Sequence, residues 1–193
     1  NPTGTQWGNM HWGYAVSTDL VHWEERKPVL APDAMGMMFS GSGVVDRENT
    51  AGFGKDAHVL LYTAAGEKGK PFTQCLAFSR DGRRYEKYAG NPVIPQLSPG
   101  NRDPKVFWHA PTRAWVMALY GEENGRHVVW ILTSPDLKTW TKRSTVTGGE
   151  TAKKDRWLYE CPGLEELKIE GEDGTAWVLW GADNAYAVGT FDG

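Results

Sequence analysis

One pattern occurs three times along this chain: Ser-x-Asp, three further residues, then an aromatic side chain. Ser17 and Asp19 lead to Trp23, Ser79 and Asp81 to Tyr85, and Ser134 and Asp136 to Trp140. Each copy follows an apolar run: Tyr14-Ala15-Val16, Cys75-Leu76-Ala77-Phe78, and Val128-Val129-Trp130-Ile131-Leu132. Ser79 lies 62 residues after Ser17, and Ser134 lies 55 after Ser79. A weaker fourth copy, Val188-Gly189-Thr190-Phe191-Asp192-Gly193, begins about one more period along. Such a period constrains the fold more than composition does, because each repeat must bury a face on its neighbour.

The local reading is an apolar strand running into a polar turn. Ser and Asp bond nearby backbone there, and the aromatic covers the next strand. Further short strands are predicted at Phe39–Asp46, His58–Ala65, Phe72–Ser79, Pro104–Trp108, Ala114–Tyr120, His127–Thr133 and Thr175–Gly181. No convincing amphipathic helix is found, and Leu164–Ile169 is too short to assign to either type. About four strands per 55–63 residues is what a propeller blade needs. The expected fold is therefore all-β: a β-propeller, present as an incomplete ring of roughly three to four blades. An ordinary β-sandwich with coincidental turns is the competing reading. The 193 residues supply little more than three periods, so the ring is not expected to close.

Composition removes several functions. With 21 Lys+Arg against 24 Asp+Glu, the net charge of −3 offers no basic excess for a nucleic-acid backbone. No apolar run approaches the ~20 residues a membrane-spanning helix requires. Cys75 and Cys161 form no C-x-x-C, and the five histidines show no ligand spacing, so neither a disulfide scaffold nor a metal centre is expected. No cofactor motif is found. Ten Trp, seven Tyr and six Phe suit sheet packing and also flat platforms for sugar rings. The start carries no signal peptide pattern, and a chain opening at Asn1 reveals little about its compartment.

A second regularity lies downstream of each turn. Ser40 follows Ser17 by 23 residues, Asp103 follows Ser79 by 24, and Glu160 follows Ser134 by 26. In a propeller the first strand of every blade lines the central channel, so equivalent positions converge on the axis. Taken alone, Asp103 before Pro104 reads equally as a turn residue, and Glu160 as a solvated loop acid. Equal spacing argues against both coincidences together. Two acids and a hydroxyl facing one funnel form the kind of constellation that glycoside hydrolysis uses.

Phe39-Ser40-Gly41-Ser42, Arg102-Asp103-Pro104-Lys105-Val106-Phe107-Trp108 and Glu160-Cys161-Pro162 resemble the signature motifs of glycoside hydrolase family 32. The opening Asn1-Pro2…Trp7-Gly8-Asn9-Met10-His11-Trp12-Gly13 and the segment Ser17–Trp23 resemble that family's N-terminal part. The resemblance runs the length of the chain in the right order, and its flavour is nearest to levanases and exo-inulinases. It implies a five-bladed propeller followed by a β-sandwich. The implied substrates are fructose-containing oligo- or polysaccharides, or sucrose. By resemblance Glu160 is the general acid/base, Asp103 the transition-state stabiliser, and Arg102 the cation that neutralises the carboxylate cluster. Trp7, Phe39 and Ser40 shape the fructose pocket, and Cys161 modulates Glu160 from beside it. Tyr14 stands where the family usually has His, a change expected to alter outer hydrogen bonding only. The family's members are often secreted or periplasmic.

The family is retaining and needs a nucleophilic Asp, carried in a W-x-N-D-P-N-G segment on the first blade. No such segment occurs here. Extrapolating the acid spacing backward puts it about 17 to 23 residues ahead of Asn1. The expectation is thus a partial catalytic propeller over residues 1–193, without the nucleophile strand, the last blade and the C-terminal sandwich. Free strand edges in such a fragment invite self-association. Asp19, Asp33 and Asp183 are the only guesses at a replacement nucleophile. A non-catalytic carbohydrate-binding remnant is the alternative function, and a purely structural propeller is a third. Propeller glycosidases acting on arabinans or xylans generally lack the Phe-Ser-Gly-Ser and Glu-Cys-Pro combination.

Overall fold

The structure, a computed structural model, describes residues 1–148 and 158–193. Among them there is no helix, and thirteen strands form four antiparallel sheets in chain order. The pair β1 (Trp12–Val16) and β2 (Glu24–Leu30) comes first. It is followed by β3 (Met37–Asp46), β4 (Ala57–Ala65), β5 (Phe72–Ser79) and β6 (Glu86–Lys87). The third sheet holds β7 (Arg102–His109), β8 (Ala114–Glu123), β9 (Arg126–Ser134) and β10 (Thr141–Thr147). The last contains β11 (Gly163–Lys168), β12 (Thr175–Trp180) and β13 (Tyr186–Gly189), which makes the undecided Leu164–Ile169 segment a strand. Two complete four-stranded blades are thus flanked by partial ones. This is an incomplete β-propeller.

The Ser-x-Asp pattern marks the same joint each time, between the third strand of a blade and its outermost strand. Ser17 Oγ donates to Asp19 Oδ1 at 3.1 Å, Ser79 to Asp81 at 3.0 Å, and Ser134 to Asp136 at 3.1 Å. The same Oδ1 then accepts two successive backbone N–H groups at 2.7–2.9 Å: Val21 and His22, Arg83 and Arg84, or Lys138 and Thr139. One carboxylate so satisfies the donors of a tight turn that has no ladder partners. The residue after each Asp is Leu20, Gly82 or Leu137, and it takes a positive φ of 61–68° in all three copies.

Three apolar clusters lie between the four sheets. Tyr62, Ala64, Cys75 and Met38 face the β1–β2 pair, while Leu61, Val59 and Leu76 on the other side of the same sheet meet Met117, Leu119 and Trp130. Val116, Ala118, Val129 and Ile131 turn the opposite way, onto Leu164 and Leu179. Middle strands are therefore covered on both faces, which is why β4, β8 and β9 read as unbroken apolar runs. At ~1.5–3 kcal/mol for each large side chain removed from water, this stacking is what holds the blades in file.

Candidate functional site

The site forms where the inner strands begin, because those strands are broken there. Register shifts between Met38 and Gly41 in β3, and between Arg102 and Lys105 in β7. Such bulges re-aim side chains, and the two place Ser40 and Asp103 toward a common space. In β3 the freed backbone groups are taken by the N-terminal segment: Met38 N–H donates to Met10 O at 3.0 Å, and Trp12 Nε1 to Phe39 O at 2.8 Å. Gly41 lets this bulge sit tight, since a Cβ there would lie 2.0 Å from Leu61 O. In the partial last blade the entry is made by Glu160 and Cys161, both at positive φ (54° and 44°) ahead of β11. Glu160 thus stands on the lead-in rather than within the strand, a small departure from strict equivalence with Asp103.

Ser42 joins the two inner strands across the blades: its Oγ donates to Pro104 O and accepts Val106 N–H, both at 2.8 Å. Asp103 itself has φ 64°, an uncommon conformation for a non-glycine residue, held by a buried chain of side chains. Asp103 N–H donates to Thr63 Oγ1 at 2.9 Å, and Thr63 Oγ1 donates to Gln74 Oε1 at 2.7 Å. Gln74 Nε2 closes the chain on Asn101 O at 3.2 Å. Both Thr63 and Gln74 are fully buried.

Around Asp103 the charges are close. Cys161 gives its N–H to Asp103 Oδ2 at 3.0 Å, and its Sγ lies 3.5 Å from the same oxygen. Arg102 donates from Nη2 (2.7 Å) and Nε (3.0 Å) to Glu160 Oε1, holds Gly100 O with Nη1, and stands 3.9 Å from Asp103 Oδ2. One guanidinium therefore serves both acids. Burial pushes the Asp103 carboxyl above the ordinary carboxylate value, and the Cys161 N–H opposes this only in part. The Cys161 residue opens onto the cleft, yet the surrounding protein, with Asp103 and Glu160 beside the sulfur, pushes its thiol up to about 11. Its nearest hydrogen-bond partner is Asp103 rather than Glu160.

The resulting cleft measures about 420 Å³, and Trp7, Phe39, Ser40, Arg102, Asp103, Glu160 and Cys161 all line it. Trp7 stands edge-on to Phe39 (centroids 5.7 Å apart), which in turn stands edge-on to Phe72 (5.6 Å), a graded aromatic wall. Asn1, Met10, His11, Trp12 and Met38 complete the lining and were not marked out by the repeat. Asp103 and Glu160 are the carboxylates lining it among the described residues; Asp19, Asp33 and Asp183 lie elsewhere. Tyr14 also lies apart, donating to Gly82 O at 2.5 Å and so tying β1 to the second Ser-x-Asp turn. A larger cleft of about 490 Å³ sits at the far ends of β3 and β7. Its buried acid, Asp46, is engaged by Thr50 and Ala51 N–H and serves to hold a loop.

Thr63 and Gln74 escaped the sequence reading, although a polar pair inside apolar strands was the available signal. Tyr120 and Tyr159, which flank the Arg102 guanidinium, escaped it too.

Paired acids at the mouth of a propeller's inner strands are the kind of constellation that glycoside hydrolysis uses. Residues 1–192 match the model of the glycosyl hydrolases family 32 N-terminal domain, and the chain belongs to that family. It is 42% identical over 210 residues to a levanase of Bacillus subtilis, covering 100% of this chain and 30% of that protein. Among solved structures, the exo-inulinase of Aspergillus awamori superposes with a TM-score of 0.84 at 36% identity, over 100% of this chain and 44% of the other. A fructofuranosidase from Schwanniomyces occidentalis complexed with fructose gives 0.83 at 36% identity, over 100% and 40%. The chain thus spans less than half the length of these relatives.

Proposed function

We propose that this chain is the greater part of the catalytic propeller of a β-fructofuranosidase. Its substrates are the fructosyl units of levan, inulin or sucrose, and its reaction is a retaining double displacement. Glu160 protonates the departing glycosidic oxygen and later takes a proton from water. Asp103, enclosed and aimed by its bulge, binds hydroxyls of the fructosyl ring as it flattens toward an oxocarbenium ion. Arg102 holds Glu160 and compensates both acids, Trp7, Phe39 and Ser40 receive the sugar, and Cys161 acts on the pair through its contact with Asp103. The observation that carries this reading is the single guanidinium reaching Glu160 at 2.7 Å and Asp103 at 3.9 Å.

Double displacement also requires a nucleophilic carboxylate, and the cleft's described lining supplies only these two acids. In the whole enzyme the nucleophile strand, the last blade and a β-sandwich would come from beyond these residues. By themselves the 193 residues are expected to bind fructose, with turnover impaired or absent. Solvent-facing Leu20, Val21 and Trp23 at one end, and Tyr186 and Val188 at the other, favour self-association through the partial blades.

The test pairs assay with binding. Levan, inulin and sucrose are incubated with the chain and with Glu160→Gln, while fructose binding is followed by thermal stabilisation. The expected result is stabilisation by fructose, abolished by Asp103→Ala, with no sustained fructose release. Release that disappears in Glu160→Gln would mean that the chain holds its own nucleophile. Equal release by both proteins, or no fructose effect on stability, would end the assignment.

A further inference from the structure

The Arg102 guanidinium is mostly buried, with 15% of its side chain exposed, and it is enclosed by more than its acid partners. Its Cζ lies 4.6 Å from the centroid of the Tyr120 ring and 5.6 Å from that of Tyr159, and those two rings meet edge-on at 5.6 Å. Tyr120 is there because of sheet register: it is the cross-strand partner of Arg102, at the last pair before the β7 bulge. The next strand keeps the ring in place. Tyr120 Oη donates to Glu122 Oε1 at 3.1 Å and pairs with His127 Nδ1 at 2.9 Å. Glu122 and His127 are themselves cross-strand partners between β8 and β9. The His127 ring also stands edge-on to Tyr159, 5.0 Å between centroids.

We propose that Tyr120, assisted by Tyr159, is a positioning residue that clamps the Arg102 guanidinium and thereby fixes the presentation of Glu160 to the sugar. An arginine on a long flexible stem gains direction from a planar stacking partner, and its fork is then aimed before substrate arrives. The ring face supplies the clamp, and the hydroxyl network only orients the ring. The functional consequence rests on the reading of Glu160 as acid/base, but the clamp itself does not.

The decisive measurement is hydrogen exchange at Arg102 Nε, followed by NMR on the intact chain and assigned by its loss in Arg102→Lys. Slow exchange is expected in the unaltered protein, and a rate within about twofold of it in Tyr120→Phe. Tyr120→Leu should speed exchange about tenfold and Tyr159→Leu about threefold, with the backbone spectrum elsewhere unchanged. Fructose affinity should follow the same order. Exchange in Tyr120→Leu as slow as in the parent would overturn the clamp. So would a Tyr120→Phe variant as fast as Tyr120→Leu, which would assign the work to the hydroxyl. If Tyr120→Leu does not fold, Tyr159→Leu decides, and unaltered exchange there ends the two-ring arrangement. Failure of the parent to bind fructose would defeat the fructosidase reading while leaving the exchange comparison intact.

Discussion

Acids of this chain fall at two kinds of position, the outer turn in three periods and the inner mouth in two, and Asp103 at the mouth lives in electrostatics opposite to those of the turns. At the outer turns, bonding from His22 and neighbouring N–H groups holds Asp19 well below the usual carboxylate range. The Arg84 and Arg83 N–H groups hold Asp81 down at about 2. For Asp136 a burial penalty is outweighed by the Thr139 and Lys138 N–H groups. At the inner mouth Asp103 receives one backbone N–H, and burial wins, raising its pKa. The turn acids gain from their ionised state, whereas Asp103 tolerates ionisation only because Arg102 and Cys161 are at hand. A repeat therefore gains stability from its peripheral acids and loses some at its centre, at the acid placed in the candidate site.

The largest effect that could break this comparison lies at the positive-φ position beside the turn acid. Leu137 is wholly buried and Leu20 is 78% exposed, yet both adopt the same strained backbone. Leu137→Gly should cost about 3 kcal/mol, because the cavity it leaves exceeds the strain it relieves. Leu20→Gly should instead gain about 0.5 kcal/mol, strain relief slightly exceeding the added flexibility of the unfolded chain. Urea unfolding of both variants measures the pair. Equal costs would mean that burial of the Leu137 side chain does not set the two turns apart. Next in size, Asp136→Ala should destabilise by about 1.5 kcal/mol through the lost N–H acceptors. Asp103→Asn, measured the same way at neutral pH, should leave stability equal or higher while losing fructose binding. A loss of stability comparable to that of Asp136→Ala would make Asp103 a structural acid like the others.

The same contrast explains what was legible in the sequence. Strands covered on both faces, β4, β5, β8 and β9, announced themselves as apolar runs with ends close to those predicted. The outermost strands β2 and β10 did not, because Glu24-Glu25-Arg26-Lys27 and Thr141-Lys142-Arg143-Ser144 face solvent and carry no periodic apolar signal. Ser40, Asp103 and Glu160 could be found by counting from the turns, since inner-strand entries repeat with the blades. Thr63 and Gln74 fall outside that count: their signal is a polar pair within apolar strands, and its meaning is a hydrogen bond between two residues 11 apart on neighbouring strands. Tyr120 was hidden for a related reason: pairing with Arg102 depends on a hairpin register that a bulge then shifts.

The smallest predicted effect is one of slope. Asp81 has its folded pKa depressed to about 2 from an ordinary value of 3.8, so its contribution is present above 3.8 and lost as pH falls through about 2. Asp103 has its folded pKa raised above 3.8, so the protonated form favours folding and that benefit is lost as pH rises through the raised value. Stability of Asp81→Asn relative to the parent should therefore show a deficit that closes on acidification below 3.8. For Asp103→Asn the difference should favour the variant near neutrality and shrink as pH falls toward 3.8. Thermal unfolding across that range, with the parent run beside each variant, reads both slopes. Two slopes of the same sign would mean that Arg102 and Cys161 overcome burial at the mouth, and the distinction between peripheral and central acids would then be one of place and not of charge state.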